Sequence, residues 1–115
     1  APLATARKGQ LGISSLGIVA GATWPEEAQA LRATLVDAPF LVPGFGAQGA
    51  GAGKATSGLK RGKHGWEGGL INSTRGLIFP KKAAAAGSID EWRHAIAETI
   101  AENKTILNSV FQAVF

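Results

Sequence analysis

The apolar positions of this chain fall into a few short runs separated by clusters of glycine, proline and small polar residues. Leu16 to Ala22 is almost wholly apolar, and Phe40-Leu41-Val42 and the stretch from Gly68 to Asn72 are similar. Short continuous runs bounded by turn residues are the pattern of strands covered on both faces, as in parallel sheets. They predict strands near 16–22, 40–43 and 68–72. After the first, Thr23-Trp24-Pro25-Glu26 predicts a helix start: Thr23 as cap, Glu26 completing a capping box, Pro25 tolerated in the first turn. Leu31, Leu35 and Ala28 supply its inner face and Asp37-Ala38-Pro39 ends it, giving a helix near 24–35. Ser88 and Glu91 form a second capping box. Ile89, Trp92, Ile96, Ile100, Leu107, Phe111 and Val114 then recur at spacings of three, four and seven, predicting an amphipathic helix near 88–113.

The remaining segments are less regular. Residues 1–15 read as an irregular or partly helical lead-in, and 50–62, with Gly51, Gly53, Gly58 and Gly62, as a weak helix or loop. Leu77 to Pro80 is a short apolar segment, and 81–87 reads as a linker with an alanine run. The order strand–helix, strand–weak helix, strand–helix makes an α/β protein, either a doubly wound sheet or part of a (β/α)8 barrel. Three strands cannot close a barrel. Residues 1–115 are therefore expected to form a single partial (β/α) domain, incomplete as one chain.

Composition narrows the function classes. With 115 residues, 45% hydrophobic and 17% charged, the chain suits one soluble domain of modest size. No apolar run approaches a membrane span, and the N-terminus lacks a basic-then-apolar signal pattern, so no membrane partner is expected. The lack of cysteine excludes disulfides and thiolate metal sites and is compatible with a reducing compartment, so the expected location is the cytoplasm. Methionine is absent, including at position 1, which reads as a trimmed chain or a piece of something longer. The net charge is +4. The basic residues form no stripe apart from Lys60-Arg61-Gly62-Lys63-His64, which has one aromatic neighbour, Trp66, and no RNA-binding motif. That patch reads as a solvated loop, and no nucleic-acid partner is expected. His64 and His94 have no third ligand at metal spacing, so no metal site is expected. Trp24, Trp66 and Trp92 read as packing residues.

The candidate chemistry lies at two turns. Phe40 to Gly49 passes from an apolar run into a glycine-rich turn that carries the amide of Gln48. Gly69 to Gly76 passes from an apolar run into a polar turn that carries Arg75. If the two runs are neighbouring parallel strands, both turns open on one edge of the sheet. An arginine fork, an amide and unobstructed backbone N–H groups there would suit a phosphate monoester. In barrel enzymes the turns after the seventh and eighth strands are a recurrent phosphate site. Gly44-Phe45-Gly46-Ala47-Gln48-Gly49 formally matches a dinucleotide fingerprint, but no acidic residue ends the following strand, and the pattern alone is weak. Gly51-Ala52-Gly53-Lys54-Ala55 is not a nucleotide P-loop: Gln48 stands where the pattern needs glycine, and Ala55 where it needs serine or threonine. Asp37 lies at the opposite rim and Asp90 in a helix first turn, so the chain offers no paired acid and base.

At these residues the sequence resembles orotidine 5′-phosphate decarboxylase, specifically the bacterial type 2 subfamily. Gly17-Ile18-Val19-Ala20-Gly21-Ala22-Thr23-Trp24-Pro25-Glu26-Glu27 is similar to its sixth strand and following helix. Leu41 to Gly49 is similar to its seventh strand and phosphate loop, and Ile71-Asn72-Ser73-Thr74-Arg75-Gly76-Leu77-Ile78-Phe79 to its eighth strand and phosphate turn. The resemblance covers most of residues 12–80 and implies the C-terminal portion of a (β/α)8 barrel. It implies that Gln48 bridges phosphate and pyrimidine from a lid loop. Arg75 pairs with the phosphate dianion, helped by the backbone at Thr74, and Pro43 and Phe45 line the pocket beside the base.

The family uses no cofactor. It removes CO2 from orotidine 5′-phosphate through a carbanion at C6 that a lysine protonates. Its alternating lysine–aspartate array lies on earlier strands that have no counterpart here, and residues 50–68 look unlike its usual helix. The resemblance thus implies no catalytic residue in this chain, which alone would be inactive. The expected ligand is orotidine 5′-phosphate or a similar nucleotide such as uridine 5′-phosphate. The expected partner is the missing N-terminal part of the barrel or a second copy, as a homodimer. Two alternatives are another phosphate-handling barrel, such as a sugar-phosphate synthase or isomerase, and a non-catalytic module that holds phosphorylated ligands.

Overall fold

The computed structural model describes residues 2–46 and 51–112. Three strands, β1 (Ile18–Val19), β2 (Phe40–Val42) and β5 (Gly69–Ile71), form one sheet in the order β1-β2-β5. Both pairings are parallel, with Ile18 opposite Phe40, Phe40 opposite Gly69 and Val42 opposite Ile71. The parallel arrangement follows from the connections: each pair is joined by a crossover too long for a hairpin. Strand β1 is shorter than the expected 16–22. Its ladder nevertheless continues past it, since Ala20 N–H donates to Leu41 O and Ala22 N–H to Pro43 O, each at 2.9 Å.

Side chains alternate across the sheet, and the two faces have different fates. Phe40, Val42 and Ile71 point to the covered face, where Phe40 is 1% exposed. Val19, Leu41 and Leu70 share one row across the other face and are 66%, 44% and 74% exposed. They border an open apolar hollow of about 340 Å³. The reading of these strands as covered on both faces therefore holds for one face only. The bare row is what an incomplete barrel presents where its interior would be.

Helix α1 (Pro2–Ala6) places Ala4 against the core. Helix α2 (Pro25–Thr34) follows β1, but Thr23 does not cap it: Trp24 holds the cap position and no side-chain cap bond forms. Its buried residue is Ala28; Leu31 is exposed and Leu35 half-buried, so the inner face is narrower than its leucines suggest. Segment 50–62 contains the short helix α3 (Ala52–Ala55) and then β3 (Lys60–Gly62), which pairs antiparallel with β4 (Gly65–Glu67). The basic patch is thus a hairpin, not a solvated loop. Arg61 lies 4.7 Å from the Trp66 ring centre and 5.0 Å from that of Phe111, and it donates to Val110 O and Phe111 O.

Helices α4 (Arg75–Ile78) and α5 (Lys81–Ala84) occupy the stretches read as an apolar segment and a linker. Helix α6 (Ile89–Gln112) packs on α3, α4, α5 and β4. Its start is a shifted capping box: Glu91 N–H donates to Ser88 Oγ at 3.1 Å, and the Glu91 carboxylate accepts from Gly87 N–H at 2.6 Å. Trp66 is a packing residue, edge-on to Phe111 with ring centres 5.4 Å apart. Trp24 is 64% exposed and Trp92 44%.

Arg32, in the last turn of α2, ties several segments together. Its Nε donates to Gly58 O at 2.7 Å, Nη1 to the carbonyls of Leu35, Val36 and Ala38, and Nη2 to Gly68 O at 2.8 Å. Four of those carbonyls end α2 or precede β2 and β5 and the fifth follows α3, so one side chain fixes the entry to two strands. A basic residue near a helix C-terminus signals contact with the last carbonyls. The reach to Gly58 and Gly68 has no local signal in the sequence.

Candidate functional site

Because β2 and β5 are parallel neighbours, the turns that leave them rise from the same edge. Asn72 N–H still donates to Val42 O at 2.9 Å, which carries the ladder up to the point where both chains turn. Pro43, Gly44 and Phe45 from one turn and residues 72–75 from the other line a small cleft of about 80 Å³. Gly44 and Gly46 have φ of 100° and 82°, left-handed values that side chains rarely adopt. They let the first turn fold back toward the second: a Cβ on Gly46 would stand 3.6 Å from Ser73 Oγ.

The structure brings together four of the five residues singled out from sequence, Pro43, Phe45, Thr74 and Arg75. Gln48 lies outside the described residues. Phe45 is buried and belongs to the core cluster as well as to the cleft wall, so its ring anchors the turn on the sheet. Thr74 Oγ1 accepts from Asn72 Nδ2 at 3.2 Å, a bond that holds the second turn in shape. Arg75 is exposed and makes no ion pair or side-chain hydrogen bond among the described residues, so no carboxylate neutralises it there. An unpaired guanidinium at the mouth of a polar cleft is free to take a planar or tetrahedral oxyanion.

One residue of the cleft escaped the reading from sequence. Ser73 Oγ is shielded from solvent and has no hydrogen-bond partner among the described residues. Its only signal in the sequence is its place in the polar run before Arg75. The two aspartates lie elsewhere: Asp37 pairs with Lys8 at 3.4 Å at the opposite end of the sheet, and Asp90 stands 3.9 Å from Arg93 on α6. Among the described residues no group of acidic or histidine side chains could hold a metal ion, and no helix is long and apolar enough to cross a membrane. His94 contacts Glu98 at 2.9 Å on the exposed side of α6. The cleft thus offers a cation and polar groups but, among the described residues, no paired acid and base.

Comparison with known proteins bears on what such a cleft could serve. No family model matches the chain. The orotidine 5′-phosphate decarboxylase of Natronomonas pharaonis is 45% identical over 95 residues, which is 82% of this chain and 32% of that protein. That of Halobacterium salinarum is 48% identical over 77 residues, 63% of this chain and 28% of the relative. Among solved structures, Leishmania donovani OMP decarboxylase covers 92% of this chain at 30% identity with a TM-score of 0.54, the match taking up 37% of that chain. Leishmania donovani UMP synthase gives 32% identity and a TM-score of 0.55, over 92% of this chain and 22% of that one. In sequence and in fold, this chain resembles one portion of the orotidine 5′-phosphate decarboxylases. It spans about a third or less of the curated relatives it matches. The three-stranded sheet with its bare inner row is accordingly an open portion of a (β/α) barrel, not a closed one.

Proposed function

We propose that this chain supplies the phosphate-binding part of an orotidine 5′-phosphate decarboxylase site and corresponds to the C-terminal portion of that barrel. The observation that carries the proposal is the cleft at the β2–β5 edge, where Arg75, without an ion pair or side-chain hydrogen bond among the described residues, lines the same cleft as the glycine turn that begins at Pro43. The ligand is a pyrimidine nucleoside 5′-monophosphate. Arg75 pairs with the dianion, Thr74 presents its backbone, and Gln48 is proposed to bridge the phosphate and the pyrimidine. Pro43 and Phe45 bound the side on which the base lies.

Such contacts bear on turnover as well as affinity. Binding energy from the phosphate, remote from the reacting carbon, can hold a lid shut and assemble the reacting end. The chain carries no lysine–aspartate array on its strands, so it binds without decarboxylating. It does its work in the presence of the rest of the barrel, which also covers Val19, Leu41 and Leu70. A second copy pairing over the same face is the other cover that the bare row admits.

Titration with uridine 5′-phosphate, uridine and inorganic phosphate tests the proposal. Uridine 5′-phosphate is expected to bind most tightly. Arg75→Ala is expected to weaken it by about 10- to 100-fold, the worth of one charge-assisted hydrogen-bonded pair. Equal binding of every phosphate would reduce the site to a generic anion cleft, and no binding would leave the chain a structural role.

A further inference from the structure

The turn after β5 places four polar side chains in succession, and they are used differently. Asn72 donates to Thr74 Oγ1, so these two engage each other. Arg75 extends from the mouth of the cleft. Ser73 is the exception: it lines the cleft, yet its Oγ is turned away from solvent and lacks any partner among the described residues. A hydroxyl carries one donor and two acceptor sites. Leaving it buried and unpaired is costly, so such an atom in a native structure calls for a reason.

The surroundings of the hydroxyl supply one. It occupies a notch between two glycines from the two different turns: a Cβ on Gly76 would stand 2.8 Å from Oγ, and one on Gly46 3.6 Å. The notch receives the oxygen but, among the described residues, presents no hydrogen-bond partner to it. Serine has three staggered positions about χ1, separated by one rotation. Ser73 also lines the cleft, together with Thr74 and Arg75.

We propose that Ser73 is a further ligand-contacting residue of this site. Its hydroxyl turns from the glycine notch into the cleft and donates to an anionic oxygen when a phosphate monoester is bound. The inference rests on the phosphate reading above. An O–H to O⁻ bond is shorter and stronger than a neutral one. The hydroxyl gains it only in the bound state, so Ser73 favours the complex without stabilising the free chain. It thereby adds to discrimination between a phosphate ester and the uncharged nucleoside, since the nucleoside brings no anionic acceptor to the cleft.

The test compares the wild-type chain with Ser73→Ala and Arg75→Ala. Binding of uridine 5′-phosphate, uridine and inorganic phosphate is followed by NMR, and thermal unfolding of each free chain is recorded. Ser73→Ala is expected to weaken uridine 5′-phosphate by about 5- to 20-fold, as for loss of one hydrogen bond to a charged group. It is expected to leave the weak binding of uridine unchanged and the unfolding temperature equal or higher. If Ser73→Ala binds the nucleotide like wild type while Arg75→Ala loses it, the inference fails and the phosphate reading stands. A Ser73→Ala chain that unfolds at a lower temperature and loses all ligands together has lost structure instead, which also overturns the inference. A wild-type chain that binds no phosphate removes both.

Discussion

The guanidinium carbon of Arg32 stands 3.8 Å from the centre of the Phe40 ring, and Phe40 is the largest side chain fully buried among the described residues. The same guanidinium donates to five backbone carbonyls from three parts of the chain. A cation over an aromatic face adds to those bonds, so Arg32 joins the helix end, the strand entries and the core in one group. Arg32→Ala leaves the carbonyls without their donor and uncovers the ring. It is expected to destabilise the chain by about 2–4 kcal/mol, measured by denaturant unfolding. Arg32→Lys is expected to recover only part of this, because an ammonium cannot serve the fork.

Burial lowers the Arg32 pKa below its ordinary value. The folded chain therefore holds this proton less tightly than the unfolded chain does. The desolvation cost is constant below the folded value and is relieved only as pH rises through it, in strongly alkaline solution. Stability is expected to show no titration from Arg32 across the acid and neutral range.

Strand β5 opens on a glycine for a steric reason. A Cβ on Gly69 would lie 2.4 Å from Phe40 O and 2.8 Å from Leu59 Cδ2, so a side chain there would push against the neighbouring strand's backbone. Gly69→Ala is expected to cost about 2–4 kcal/mol through forced spreading of β2 and β5. Gly21→Ala is the matched control: a Cβ there meets nothing within 4 Å, and the change is expected to stay within about 0.5 kcal/mol. Thermal unfolding of the two variants side by side makes the comparison.

These two groups show what could be read from the chain and what could not. The apolar runs around Ile18, Phe40 and Ile71 mark parallel strands, but consecutive apolar residues do not show which face stays bare, and the row Val19, Leu41 and Leu70 is exposed. The pairing of the Pro43 and Arg75 turns follows from parallel order alone. The hairpin at 60–67 was not legible: Lys60, Arg61 and Lys63 look solvated until Trp66 and the end of α6 are in place to receive Arg61. The Thr23 cap failed because Trp24 takes the cap position in space, which a sequence spacing cannot resolve to one residue. Ser73 was hidden for a related reason. Nothing local distinguishes an unpaired hydroxyl from the paired one of Thr74 next to it.

The row Val19, Leu41 and Leu70 carries a consequence for association. Exposed apolar rows flanked by open strand edges are sticky. The wild-type chain is expected to self-associate in a concentration-dependent way by light scattering. Leu41→Lys with Leu70→Glu is expected to shift it toward monomer with little change in secondary structure by circular dichroism. Monodisperse monomer from the wild type at all concentrations would argue that the bare face needs no cover.

The end of α6 depends on the hairpin. Trp66 Nε1 donates to Leu107 O at 3.1 Å, its ring meets Phe111 edge-on, and Arg61 bonds the carbonyls of Val110 and Phe111. Trp66→Phe keeps an aromatic ring but removes the donor, and is expected to cost about 1–2 kcal/mol. The effect is expected to be local. Amide exchange should accelerate in residues 107–112 and remain unchanged around Ala95 and Thr99, which are buried farther along the helix.

The contact between Ser73 and Gly76 gives a coupling that stability alone can measure. Gly76 is the second residue of the four-residue α4, where alanine is favoured over glycine by up to about 1 kcal/mol. A Cβ there would crowd Ser73 Oγ at 2.8 Å. In the wild-type background Gly76→Ala is therefore expected to be near neutral, because the helical gain is offset by displacement of the hydroxyl from its notch. In the Ser73→Ala background the obstruction is gone, and the same change is expected to stabilise by about 1 kcal/mol. A double-mutant cycle by denaturant unfolding reads the difference. Equal effects of Gly76→Ala in both backgrounds would mean that the hydroxyl does not sit where the notch places it.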